Sequence, residues 1–157
     1  MNKIIDETDR RILTVLQDRG RIANVELAAD VGLSPTACWA RVRALEEAGV
    51  IEGYYAALNP EKLDAGMLAF VEVTLERTTP DVFNEFRAAV LKIPEVLECH
   101  MVAGGFDYLV KIRIRDMPGY RAFLEDALVA LPGVRGTHTY VVMEEVKNTR
   151  AIPISAP

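Results

Sequence analysis

The chain has 157 residues, 50% of them hydrophobic, with two cysteines and a formal net charge of −5. That is enough apolar material for one domain or two small ones. The isolated Cys38 and Cys99 give no support to a disulfide framework or a CxxC zinc knuckle, and the acidity argues against a broadly basic nucleic-acid surface.

Residues 1–53 hold seven Lys or Arg against nine Asp or Glu, so any positive footprint there is local: Arg19 and Arg21, then Arg41 and Arg43. No apolar run reaches membrane-spanning length, and Met1 to Asp6 lacks the apolar stretch of a secretory signal. A cytoplasmic protein with no membrane partner is expected.

Asp6 to Arg19 reads as a first helix, with Ile12, Leu13, Val15 and Leu16 apolar and acids in its first turn, where the helix dipole favours them. Gly20 closes it. From Asn24 to Ile51 the pattern is helix, tight turn, helix, strand entry. Gly32 supplies the turn, because a residue without Cβ takes positive φ freely. Ser34 is a natural N-cap and Pro35 suits the first helical position. Cys38, Val42 and Leu45 form one buried stripe, and Gly49 ends the helix. The opposite face shows Thr36, Ala40, Arg43 and Glu47, with Arg41 at its margin. A capped helix presenting small polar and Arg side chains after a short helix and turn is the way a helix-turn-helix reads double-stranded DNA. The candidate DNA-contacting residues are Ser34, Pro35, Thr36, Trp39, Ala40, Arg41 and Arg43.

Asn59-Pro60 marks a break, since the residue before proline is pushed out of the helical region. The expected organisation is a DNA-binding domain over 1–53, a linker strand over 54–62 and a second domain over 63–157. In that second domain the period changes to two. Val71, Val73 and Leu75 alternate with Glu72, Thr74 and Glu76, as in a half-buried strand. A helix opens at Pro80-Asp81 with Val82, Phe83, Phe86, Ala89 and Val90 inward. Strands follow over 96–102 and 108–115, a helix over Tyr120–Leu131, and a last strand over 134–142. The order β-α-β-β-α-β is that of a ferredoxin-like sandwich. An internal echo supports it: Ile93-Pro94-Glu95-Val96 and Leu131-Pro132-Gly133-Val134 lie 38 residues apart, with His100 matching His138. The fold class is α+β, a winged helix-turn-helix followed by a βαββαβ sandwich.

His100 and His138 fall on strands at opposite edges of such a sheet, which disfavours a shared metal. No nucleophilic triad or phosphate-binding glycine loop is present, so no catalytic residue, metal ligand or cofactor is assigned. Lys111, Arg113 and Arg115 line one strand face that is solvated or paired between subunits. The segment Ala103-Gly104-Gly105-Phe106-Asp107-Tyr108 is more informative. Two glycines bring backbone amides close to a small carboxylate, and Asp107 pairs with an ammonium. Together they suit an amino-acid zwitterion, with Met101, Met117 and Tyr140 as apolar surroundings. The alternative is a plain hairpin turn in which Asp107 caps its own backbone.

From Asp9 to Lys147 the chain resembles the Lrp/AsnC family of feast/famine regulators. The resemblance rests on Gly20-Arg-Ile-Ala-Asn-Val-Glu-Leu27, Val31-Gly-Leu-Ser-Pro-Thr36, Gly104-Gly-Phe-Asp-Tyr108 and Leu131-Pro-Gly-Val134 with Thr139 to Lys147. It implies an N-terminal DNA-binding domain and a C-terminal effector domain whose dimers assemble into octamers or similar discs. It also implies a free amino acid bound between dimers, leucine first and proline or another next. By position, the effector-response residues fall on Met101, Gly104, Asp107, Met117, Tyr140, Val141 and Val142. Two further readings stay open at this point: an effector-independent architectural DNA binder, and an amino-acid sensor acting on a protein partner.

Overall fold

The computed structural model describes residues 5–154; the chain ends at 1–4 and 155–157, parts of the two expected domains, lie outside the described residues. Contacts divide the chain into two compact units. One runs to Ala57 and takes back the tail from Lys147; the other is Leu58–Val146. The first boundary falls a little past the expected 53, and the tail groups with the first unit rather than with 63–157.

In the first unit, α1 (Glu7–Asp18) begins at Asp6, whose side chain accepts the Asp9 N–H at 2.8 Å. Helix α2 (Asn24–Val31) ends at Gly32 in the left-handed region, φ 72°. Helix α3 (Pro35–Glu47) starts at Ser34, whose Oγ accepts the Ala37 N–H at 3.3 Å, with Pro35 in its first turn. Each cap satisfies an N–H that the helix itself leaves unpaired. Ile12, Leu27, Ala28, Val31, Cys38 and Leu45 are the buried core where the three helices meet. Among the described residues the expected linker strand over 54–62 does not form: the segment pairs with no other strand. Asn59 instead caps a short 3₁₀ turn over Glu61–Leu63, accepting the N–H groups of Glu61 and Lys62. The tail returns to α1: the Gln17 amide donates to the Ile152 carbonyl at 3.1 Å and accepts its N–H at 2.5 Å. Nearby in the same unit, the Arg150 guanidinium lies 5.5 Å from the Tyr55 ring centre.

The second unit is a four-stranded antiparallel sheet in the order β2-β3-β1-β4, with β1 (Met67–Leu75), β2 (Val96–Met101), β3 (Tyr108–Ile114) and β4 (Val134–Val141). Alternate residues of β1 and β3 face α4 (Pro80–Val90) and α5 (Met117–Phe123). Val71, Val73, Val110 and Ile112 pack there with Phe86, Phe123, Leu128 and Leu131. The Phe86 and Tyr108 rings stack at 4.4 Å. The last helix begins earlier than the expected Tyr120, because Asp116 caps it by accepting the Gly119 N–H at 2.8 Å. Its final turn widens to a π-helix over Leu124–Leu128. The core residues Phe123 and Leu128 are five apart, a spacing that the i→i+5 turn brings to one side and an α-helix does not.

The contacts of the described tail residues include two hydrogen bonds and one cation–π contact, each contributing about 0.5–1 kcal/mol at an exposed site. Deleting the tail after Val146 is therefore expected to destabilise the first unit by about 1.5–3 kcal/mol, and Gln17→Ala, which removes both hydrogen bonds, by about 1–2 kcal/mol. Trp39, the single tryptophan, reports this unit alone in a fluorescence-monitored urea titration.

Candidate functional site

On α3, Ser34, Pro35, Thr36, Ala40 and Arg43 are exposed, and Trp39 is 53% exposed. The Arg43 guanidinium sits 5.3 Å from the Trp39 ring centre, and its Nε donates to Glu47 at 2.8 Å, one turn further on. Trp39 also walls a depression of about 460 Å³ with Leu16, Ile22, Leu27, Val42 and Tyr54. The Tyr54 hydroxyl donates to Glu46 at 3.0 Å; burial first, then that hydrogen bond, push its pKa up to about 12. Arg41 differs from its neighbours. It is half-buried, and its Nη1 donates to Asp6 at 2.7 Å and to Asp9 at 2.9 Å. Those hydrogen bonds, Asp6 first, raise the Arg41 pKa; Asp6 is lowered, first by the Asp9 N–H and then by Arg41.

The second site is the connection between β2 and β3. The Asp107 N–H donates to the Val73 carbonyl at 3.0 Å, and its own carbonyl accepts the Val102 N–H at 3.0 Å. Its carboxylate accepts the Leu75 N–H at 2.7 Å. Asp107 therefore caps the backbone of the neighbouring strand rather than its own loop. Gly104, Gly105, Phe106 and Asp107 line a depression of about 330 Å³ together with Thr74–Thr78 and Arg135. Neither glycine has positive φ, and a Cβ added at either would meet nothing within 4 Å. The chain's own packing thus sets no requirement for glycine here. What the pair adds is open backbone beside two exposed guanidinium groups, Arg77 and Arg135.

Of the expected effector residues, Met101, Met117, Tyr140, Val141 and Val142 do not line this depression. Met101, Met117, Tyr140 and Val141 are exposed large side chains. The Tyr140 hydroxyl donates to Glu72 at 3.1 Å, which first of its causes raises the tyrosine pKa. His100 and His138 lie on the two opposite edge strands. Lys111 pairs with Glu98 at 2.9 Å and Arg113 with Glu145.

Comparison with known proteins decides the family. The Lrp/AsnC ligand-binding domain model matches residues 68–152, and a winged helix-turn-helix DNA-binding model matches residues 5–52. The leucine-responsive regulatory proteins of Salmonella typhimurium and Escherichia coli K12 are each 57% identical over 152 residues, covering 97% of this chain and 93% of theirs. The chain belongs to the Lrp/AsnC family. Its fold matches a transcriptional regulator of Neisseria meningitidis solved with L-methionine (TM-score 0.91, 40% identity, 96% of this chain and 97% of that one). An AsnC-family regulator of Agrobacterium tumefaciens is similar (TM-score 0.90, 34% identity, 94% and 96%). This Lrp/AsnC protein is thus a transcriptional regulator by family, with the expected helix-turn-helix unit followed by a four-stranded antiparallel sheet with helices.

Sequence reasoning missed Arg77 and Arg135. They follow the end of β1 and open β4, and reach one depression because Leu75 pairs with Val134. The signal is that register, which a single sequence does not print. Asp107→Ala leaves the buried Leu75 N–H without its acceptor and is expected to cost about 1–3 kcal/mol. A thermal melt of the variant checks this, and an unchanged midpoint would show that the Leu75 bond contributes little.

Proposed function

We propose that this Lrp/AsnC regulator binds double-stranded DNA through the exposed face of α3 and changes its activity or assembly when a free amino acid occupies the β2–β3 loop. One observation carries the reading. A single chain joins a capped helix with small, polar and Arg side chains outward to a loop with two open glycine backbones beside guanidinium groups. Ser34 and Pro35 bring the N-terminus of α3, whose free N–H groups favour phosphate. Thr36, Trp39, Ala40 and Arg43 present side chains to the duplex.

At the loop, Gly104 and Gly105 take the effector carboxylate, assisted by Arg77 or Arg135. The second Asp107 oxygen faces the ammonium, and Phe106 flanks it. Met101, Met117, Tyr140, Val141 and Val142 supply apolar surroundings from a neighbouring copy. Their apolar character, with four of them exposed in the single chain, supports that arrangement. The effector on this reading is an apolar amino acid: leucine first, methionine beside it because the neisserial relative was solved with L-methionine, then proline. The reading includes no catalysis, no further cofactor and no membrane partner, and it places the protein in the cytoplasm with its DNA.

A homodimer through the sheet face opposite the helices, assembling to an octamer or similar, completes the proposal. That face carries Phe70, Glu72, Leu109, Lys111 and Arg113; Arg113 also has a buried guanidinium nitrogen without a partner among the described residues. Such a donor has a cost unless something covers and satisfies it. Assembly also multiplies the few phosphate contacts that one acidic subunit offers.

Isothermal titration with leucine, methionine and proline tests the effector reading, repeated with Gly105→Val. One amino acid is expected to bind saturably, and Gly105→Val to weaken it at least tenfold while stability stays within about 0.5 kcal/mol. No binding by an intact assembly would return the protein to the architectural reading. A duplex-DNA titration against salt tests the DNA partner. Affinity is expected to fall steeply as salt rises, and a flat response would favour the protein-partner alternative.

A further inference from the structure

Arg41 stands in the helix that meets DNA on the proposed reading, but its guanidinium is turned inward to α1. One nitrogen, Nη1, donates to Asp6 at 2.7 Å and to Asp9 at 2.9 Å. Asp9 is 1% exposed, the one buried charged residue among those described. Asp6 meanwhile caps α1 through the Asp9 N–H at 2.8 Å. The middle of α3 is thereby fastened to the first turn of α1 by a shared donor and two carboxylates.

Arg43, two positions on and roughly 200° around the helix, is held quite differently. Its side chain is 58% exposed and its ion pair is with Glu47, itself 65% exposed. An exposed pair of this kind is worth little and exchanges readily for a phosphate. The Arg41 pair does not exchange that way, because turning outward would take a charged partner from a carboxylate that is 1% exposed, a far costlier change than breaking a surface pair.

We propose that Arg41 and Asp9 are positioning residues: their pair sets the rotation of α3 against α1 and so aims the reading face, while Arg43 makes the DNA contact. The inference rests on the proposal that α3 meets DNA, and the test separates the two.

The probe is a duplex selected by the wild-type protein from a randomised pool, with affinity measured across a salt series. Arg41→Gln and Asp9→Asn are each expected to lose at least tenfold in affinity with the slope of log K against log salt unchanged. Their losses are expected not to add in the double variant, since both break one pair. Arg43→Ala is expected to reduce the slope by about one. If Arg41 instead contacts phosphate, Arg41→Gln lowers the slope by about one, and Asp9→Asn binds as tightly as wild type or tighter. Either result overturns the proposal. Should the single variants unfold, Asp9→Leu with Arg41→Met replaces the pair by apolar side chains of similar size, a change that buried pairs tolerate. In the folded double variant, at least tenfold weaker binding with the wild-type slope supports positioning; wild-type affinity, or loss of one unit of slope, overturns it. If Arg43→Ala and Thr36→Ala both leave affinity and slope untouched while the Arg41 results stand, it is the DNA-facing assignment of α3 that fails.

Discussion

The buried carboxylate of Asp9 is the constraint on which the first unit turns. A charge taken out of water must be paired and hydrogen-bonded, and the Arg41 guanidinium supplies such a partner from another helix. The six buried side chains between the helices provide non-directional attraction, which brings α3 against α1 without choosing its rotation. An N–H···O bond is directional. Packing decides that α3 docks; on the proposed reading, the pair decides which face looks outward. The cost sits at the N-terminus of α1, where Asp6 serves both as cap and as second acceptor.

In the second unit the comparable constraint is the end of β1. This strand is laddered on both sides, by β3 and by β4, and its register with β4 shifts between Thr74 and Leu75. A buried amide at such a break needs another acceptor. The Asp107 carboxylate takes the Leu75 N–H, and the Gly133 carbonyl takes that of Glu76 at 2.8 Å. Gly133 is fixed by the same crowding: its φ is 71°, and a Cβ would stand 2.5 Å from Val82 Cγ1. The depression beside Gly104 and Gly105 lies where these connections meet. The candidate effector site is built from a defect in the ladder rather than from a cavity in the core.

Local rules made most of the fold legible in the sequence. The Ser34 cap, Pro35, the Gly32 turn and the Cys38–Val42–Leu45 stripe are short-range signals, and so is the alternation along β1. What escaped depends on residues far apart. A helical wheel puts Arg41 at the margin of the reading face, and only its distance to Asp9, 32 residues back, shows it turned inward. Asp107 was readable as polar and loop-borne, yet its acceptor role belongs to Leu75 on another strand. The π turn was hidden because Phe123 and Leu128 match no standard period. The tail reads as featureless sequence, and its place in the first unit rests on a Gln17 contact 135 residues away. Of the expected effector set, the loop residues share one depression, whereas the apolar members stand elsewhere in the single chain, so the proposed site needs a second copy to bring them together.

Exposure also orders the arginines by what each can release. Arg43 leaves Glu47 at little cost, but Glu47 then stays beside the phosphates as a like-charged neighbour. Glu46 on the same helix is held by the Tyr54 hydroxyl. One α3 therefore offers a single exchangeable guanidinium and the helix N-terminus, against an acidic background. A contact set that small gives weak binding, because affinity follows the number of phosphates neutralised. On the proposed reading, useful affinity comes from several reading helices held in one assembly, where each further contact benefits from effective concentration rather than from new chemistry. On the proposed reading this links the two units: the amino acid at the β2–β3 loop controls DNA binding through how many copies of α3 are presented together, leaving each α3 as it is.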